Sequence, residues 1–324
     1  MLLPALGIDI AKLKFNACLI NPSGKLKHKA FPNTAVGFAQ LVDWLTRQEA
    51  PRAHACMEAT GAYGEALALH LYEAGHRVSV INPAAIKAFA ASRLSRTKTD
   101  RVDAELIARF CLAQQPPVWT PPAPEVRELQ ALVRRLEALT EMRVAEQNRL
   151  EAIIAVEAVR SSVEEHIAYL DRQIEQTKAS VRQHINSHPD LRRQRELLDS
   201  IPGIAETTAA ALLAEITDIT QYRSARQVAA YARLVPRERQ SGSSVRGRTR
   251  LSKIGNARLR KALYFPAITA LRCSPFFQRW AESLRQRGKC KMSVIGAAMR
   301  KLVHLAYGVL KTGRPFDPGW GKSA

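Results

Sequence analysis

A chain of 324 residues is long enough for two or three cores at roughly 150 residues each, and its 46% apolar and 24% charged content excludes long disorder. The charge is unusual: 49 Lys and Arg against 29 Asp and Glu leave +20, and residues 219–324 hold 23 of those bases but only 3 of the acids. The whole excess thus sits in the last third, which implies a local polyanion surface, while no apolar run reaches the roughly 18 residues of a membrane span.

In chain order, residues 6–10, 15–20 and 25–30 read as short strands, with the turn Asn21-Pro22-Ser23-Gly24 between the second and third. Asn33 or Thr34 can cap a helix whose apolar face is Phe38, Leu41, Trp44 and Leu45. A strand over 54–58, a helix ending at Gly75, a strand over 78–81 and a short helix from Asn82-Pro83 follow. A basic loop over 93–98 leads to a helix from about Asp100. Three meander strands and then alternating helices and strands predict an α/β, RNase H-like sheet over residues 1–120. The prolines at 116, 117, 121, 122 and 124 mark a boundary. Residues 121–190 are expected to form a helical coiled-coil arm, with stripes Leu129, Leu132, Leu136, Leu139 and Val163, Ile167, Leu170, Ile174, Val181, Ile185. Residues 191–324 read as a mainly α, basic domain, in which 197–216 has the form of a helix-hairpin-helix around Ile201-Pro202-Gly203-Ile204. The start lacks the basic n-region of a signal peptide, and the five cysteines are odd in number and widely spaced, without a CxxC pair. That pattern predicts buried thiols in a reducing, cytoplasmic setting rather than disulfides or a zinc site, and the eight histidines likewise lack ligand spacing.

Four acids stand out. Asp9 and Glu58 end predicted strands, and Asp100 and Asp103 share one face of a predicted helix. If they converge at the ends of adjacent strands, their mutual repulsion calls for cations between them. Oxygen donors without His or Cys select Mg²⁺ or Mn²⁺, and a pair of such ions stabilises both oxygens of a phosphoryl displacement. Gly-Ile-Asp also opens actin-like ATPases, but no glycine-rich phosphate loop follows here.

The second constellation runs from Arg237 to Arg250. Arg237, Arg239, Arg246, Arg248 and Arg250 offer forked donors to phosphate, and Gly242 and Gly247 let a backbone approach closely. Composition describes a flexible phosphate-gripping loop. One of Ser241, Ser243 and Ser244 is also placed to attack a phosphodiester, and spacing does not choose among them. Lys253, Arg258, Arg260 and Lys261 extend the basic surface, and Arg285, Arg287, Lys289 and Lys291 crowd a later turn. Together these segments point to nucleic acid as the partner.

With these motifs assembled, the chain resembles the insertion-sequence transposases that join an N-terminal RuvC-like DEDD domain to a C-terminal serine domain and act as bridge-RNA-guided recombinases. The likeness rests on Gly-Ile-Asp-Ile-Ala-Lys at Asp9, Glu-Ala-Thr-Gly at Glu58, Val-Ile-Asn-Pro at 80–83 and Lys-Thr-Asp-Arg-Val-Asp-Ala at 98–104. It continues through Ser-Ile-Pro-Gly-Ile at 200–204 and Ser-Gly-Ser-Ser-Val-Arg-Gly at 241–247, and so spans the chain. The resemblance implies that Asp9, Glu58, Asp100 and Asp103 hold Mg²⁺ or Mn²⁺ and that Ser241 is the nucleophile. It also implies double-stranded target and donor DNA and a noncoding guide (bridge) RNA as partners. A homodimer or homotetramer is implied too, whose composite site draws serine and acids from different protomers, in the nucleoid of a prokaryotic cytoplasm. The alternatives are a RuvC-like, structure-selective endonuclease using metal-activated water, and a non-catalytic nucleic-acid-binding protein.

Overall fold

Alternation along β1 (Ala5–Ile10) sends Leu6 and Ile8 to one side of a sheet and Ala5 and Gly7 to the other, and all four are buried. In this computed structural model, which describes residues 3–59, 61–93, 99–152, 156–241, 245–252 and 254–319, β2 (Lys14–Ile20) and β3 (Leu26–Pro32) continue β1 as an antiparallel meander. Thr34 caps α1 (Ala35–Arg47) by accepting the Gly37 amide at 3.4 Å. β4 (His54–Glu58) then enters parallel beside β1, α2 (Glu65–Glu73) crosses over, and β5 (Arg77–Ile81) pairs parallel with β4. The resulting order is β3-β2-β1-β4-β5.

Two more capped helices complete this part. Asn82 accepts the Ala84 amide at 2.9 Å to start α3 (Pro83–Ser92), and Thr99 accepts the Val102 amide at 3.3 Å to start α4 (Asp100–Gln114). α1 and α2 cover the face carrying Leu6, Ile8 and Met57, and α3 and α4 cover the face carrying Ala5, Cys18 and Cys56. α4 lies directly on β1. A Cβ at Gly7 would stand 2.1 Å from the Ala104 carbonyl oxygen and 2.2 Å from the Ala108 nitrogen, so only glycine admits the helix. The helix runs against the strands. Its first residue, Asp100, is reached by Asn16, which sits opposite Asp9, whereas Cys111 near its end donates to the carbonyl of His54 at the start of β4.

The chain divides into two compact units, Met1–Pro121 and Pro122–Ala324. The second opens with α5 (Pro124–Ala152) and α6 (Glu157–Ser187). Leu136, Leu139, Leu170 and Ile174 form a small core between these two helices, with Arg143 and Asp171 2.6 Å apart. Elsewhere on them, Val126, Leu129, Val181 and Ile185 enter the main core of the unit. That core is completed by α7 (Pro189–Asp199), α8 (Glu206–Glu215), α9 (Ala225–Tyr231), α10 (Ala257–Ala262), α11 (Tyr264–Cys273), α12 (Pro275–Gln286) and α13 (Lys291–Thr312). Because Leu129 is fully buried where the α5–α6 pair roots in it, Leu129→Ala is expected to cost about 2–4 kcal/mol, read as a lower urea midpoint. Between α7 and α8, Gly203 has φ 89°, and a Cβ there would meet the Pro266 carbonyl oxygen of α11 at 2.4 Å, so helix packing demands this glycine.

Two sequence expectations need correction. The arginine-rich segment is a two-stranded antiparallel ribbon, β6 (Pro236–Ser241) and β7 (Val245–Leu251), with Arg237 opposite Arg250 and Ser241 opposite Val245. Its polar composition suggested a loop, but the runs on either side of residues 242–244 pair as extended strands. Cys18, Cys56 and Cys111 are buried as expected, whereas Cys273 and Cys290 are exposed at helix boundaries.

Candidate active site

The sheet reverses its winding between β1 and β4: from β1 the chain moves to β2 on one side, and from β4 to β5 on the other. Ligands of open α/β sheets sit beyond the carboxyl ends of strands at such a switch point. Asp9 and Glu58 stand there. Ile8 pairs with Met57, so Asp9 and Glu58 are each one residue further along two parallel neighbours. Asp9 shares a face with Gly7 and Glu58 with Cys56, and α4 covers that face. Both acids are half-buried. α4 begins at this same end of the sheet: its first turn carries half-buried Asp103 and exposed Asp100, the latter 3.4 Å from the Asn16 that pairs with Asp9. Acids from three sequence segments therefore share one edge. They also place four negative charges at the amino end of α4, where its dipole is positive.

Lys14 and Asn16, which sequence reading passed over, belong to this edge. Lys14 Nζ and Asn16 Nδ2 each lie 3.4 Å from Asp100 Oδ2. Their signal was positional: Asn16 faces Asp9 across the first hairpin. Further along α4, Glu105 pairs with Arg109 at 2.7 Å and His28 at 3.6 Å. Sequence reading also missed a buried group behind the acids. A nitrogen of His54 and the sulfurs of Cys56 and Cys111 lie within 4.8 Å of one another. Cys56 donates to Cys111, which lowers the Cys111 thiol, while the same hydrogen bond and burial push the Cys56 thiol up. Ligand spacing along the chain hides the trio, but His54 and Cys56 alternate onto one face of β4.

In the second unit the ribbon carries Arg237, Arg239 and Ser241 on β6 and Arg246, Arg248 and Arg250 on β7. For Arg239, Ser241, Arg246 and Arg248 the description stops at this backbone placement, and Ser243, Ser244 and Lys253 lie outside the described residues. Arg258 and Arg260 lie on α10. Arg258 approaches Glu137 at 3.5 Å, and Lys261 reaches Glu137 at 3.1 Å and Glu141 at 2.6 Å, so α5 offsets part of that charge. Arg285, Arg287, Lys289 and Lys291 are exposed around the α12–α13 turn. The aromatics among these bases divide: Phe277 is core, while Lys301 sits 4.8 Å above Phe276 and 5.0 Å from Trp280. No helix among the described residues is long and apolar enough to cross a membrane.

An acid-edged α/β unit followed by a basic helical unit has the parts of an enzyme that works on nucleic-acid phosphates. The comparisons with known proteins agree with that class. Residues 6–156 match the model of a DEDD-type transposase domain, and residues 195–282 match the model described as "Transposase IS116/IS110/IS902 family". The chain is 37% identical to the pilin gene-inverting protein of Moraxella lacunata over 96% of its own length and 97% of that protein, and the Moraxella bovis counterpart is equally similar. The transposase for insertion sequence element IS1328 of Yersinia enterocolitica is 27% identical over 80% of this chain and 81% of its own. The chain belongs to the IS116/IS110/IS902 family of transposases, whose activity is the cleavage and rejoining of DNA.

Proposed function

We propose that this transposase is an RNA-guided, site-specific DNA recombinase of an insertion sequence, in which Ser241 attacks a phosphodiester and Asp9, Glu58, Asp100 and Asp103 hold Mg²⁺ or Mn²⁺. The observation that supports the proposal is that Asp9 and Glu58 end neighbouring parallel strands, while α4, whose first turn carries Asp100 and Asp103, begins at the same end of the sheet. A meander of three strands followed by two parallel ones supports the RNase H-like reading of that unit. The donor set suits a hard cation, since the four groups offer carboxylate oxygens with no imidazole or thiolate among them. When bound, such ions offset phosphate charge and stabilise the oxygens that enter and leave phosphorus.

The chain's own residues supply the rest. Ser241 Oγ forms a bond to phosphorus as one ester bond of the strand breaks; the serine proton passes to solvent, and the released DNA oxygen takes one up. The phosphoester energy stays in the protein–DNA bond, so rejoining needs no nucleotide. Arginines of the β6–β7 ribbon oppose the charge that develops at phosphorus. The pilin gene-inverting relatives carry inversion of a gene in their name, and the same chemistry here would serve exchange between target and donor duplexes. Guide RNA fits a basic surface dominated by arginine, with few Asn or Gln to read base edges. Assembly as a homodimer or homotetramer would let serine and acids meet from different protomers.

The test uses the full chain, Mg²⁺, RNA transcribed from the element's noncoding flank, and a duplex carrying its ends. After denaturation, DNA is expected to remain covalently attached, and peptide mapping should place the nucleotide on Ser241. Cleavage that leaves no DNA on the protein contradicts the serine mechanism and identifies metal-activated water as the nucleophile.

A further inference from the structure

Behind the carboxylate edge, the structure assigns His54, Cys56 and Cys111 as a second metal site, one for a soft d¹⁰ cation, Zn²⁺ or Cu⁺, held by two thiolates and an imidazole. Three features carry it. One ring nitrogen and the two sulfurs lie within 4.8 Å of each other, close enough for a single ion to bridge after small side-chain shifts. All three residues are sealed from solvent: His54 is 2% exposed and both cysteines 0%. The imidazole is also held in place. Ser79 Oγ donates to the Pro117 carbonyl at 2.8 Å and so accepts from His54 Nε2, also at 2.8 Å. This fixes the tautomer with its lone pair on Nδ1, and among the described residues that buried nitrogen has no hydrogen-bond partner. Metal-bound histidines are oriented in this way, through a hydrogen bond at the other ring nitrogen.

Donor chemistry separates this site from the acids two residues away. Thiolate and imidazole select Zn²⁺ or Cu⁺, whereas carboxylates alone select Mg²⁺ or Mn²⁺. Binding releases two thiol protons, one from each sulfur, and the cation takes their place. Three protein donors suit trigonal Cu⁺ as they stand, whereas Zn²⁺ calls for one further ligand. The ion would staple α4, which carries Asp100 and Asp103, to β4, which ends in Glu58. The site does not depend on how those acids work.

The experiment measures metal in the full chain, produced in medium supplemented with zinc and copper and dialysed without chelator. About one equivalent of zinc or copper per chain is expected, elemental analysis deciding which. Cys111→Ala and Cys56→Ala should fall to background, with folding checked by circular dichroism and Cys111→Ser as the alternative if either variant misfolds. Asp100→Asn should retain the wild-type content. Cadmium exchanged into the wild type should give an ultraviolet thiolate-to-metal band. The inference is overturned by a metal-free wild type, with Cys56 and Cys111 as free thiols or joined as a disulfide. It is equally overturned by zinc that Asp100→Asn removes and Cys111→Ala leaves in place.

Discussion

Replacing Ser241 with alanine is expected to lower strand cleavage by at least about 10³-fold, and strand exchange with it, because losing a nucleophile leaves only the rate that binding and electrostatics supply. Affinity for nucleic acid should stay within about twofold, since the substitution removes one oxygen and leaves the arginines of the ribbon in place. Single-turnover cleavage of end-labelled duplex, with a parallel binding assay, measures both. Ser243→Ala and Ser244→Ala are the necessary companions, because spacing alone leaves the three serines equivalent. Both should keep cleavage within about tenfold of wild type, the range of a contact that helps bind rather than react. If Ser241→Ala cleaves normally and one of the others does not, the nucleophile has been assigned to the wrong serine. If all three cleave normally, serine attack is excluded.

Gly7→Ala should be among the most damaging changes of one carbon in the chain. The added Cβ falls 2.1 Å from the Ala104 carbonyl oxygen, 2.2 Å from the Ala108 nitrogen and 2.8 Å from the Ala108 Cα, all of them backbone atoms that no rotamer change can move. Relief requires α4 to lift from β1. Overpacking of this kind costs about 3 kcal/mol or more, a fall of roughly 10 °C in the unfolding midpoint of the first unit. The functional consequence is separate. α4 delivers Asp100 and Asp103 to the edge where Asp9 stands, so a displaced helix should slow cleavage by about tenfold or more even where the protein remains folded. Thermal unfolding monitored by circular dichroism, and cleavage assayed well below the midpoint, distinguish the two effects. An unchanged midpoint would mean that α4 does not rest on β1 as described.

These two residues also show how far the sequence could be read. Asp9 and Glu58 were visible because polar residues end apolar strands, and the sequence offered Asn33 or Thr34 as the first cap, of which Thr34 takes the role; Asn82 stood at a helix start, while Thr99 went unnoticed one residue before another. The meander and the parallel pair followed from alternation and turn residues. Gly7 was unreadable as a helix seat: one glycine in a strand does not say which helix crosses it. The β6–β7 ribbon was hidden because pattern reading weighs apolar alternation, and this hairpin alternates arginine with Glu238 and Gln240 on one strand and with Gly247 and Thr249 on the other. His54, Cys56 and Cys111 were dismissed as ligands because their spacing spans a crossover and a helix, and only the fold joins them. Arg258 and Lys261 counted toward a nucleic-acid surface in the sequence, while in the fold Glu137 and Glu141 of α5 already face them. Summed charge predicts a field; which charges remain for a ligand depends on packing.

The unity of the four acids is tested most directly by titrating Mn²⁺ into the full-length chain and following binding by calorimetry. If Asp9, Glu58, Asp100 and Asp103 form one site, Asp9→Asn, Glu58→Gln and Asp103→Asn should each weaken Mn²⁺ binding by at least about tenfold, while Glu73→Gln, an exposed change at the end of α2, leaves it unaltered. Mn²⁺ affinities within about twofold of wild type for all three edge variants would contradict the account, because the ion would then be held elsewhere.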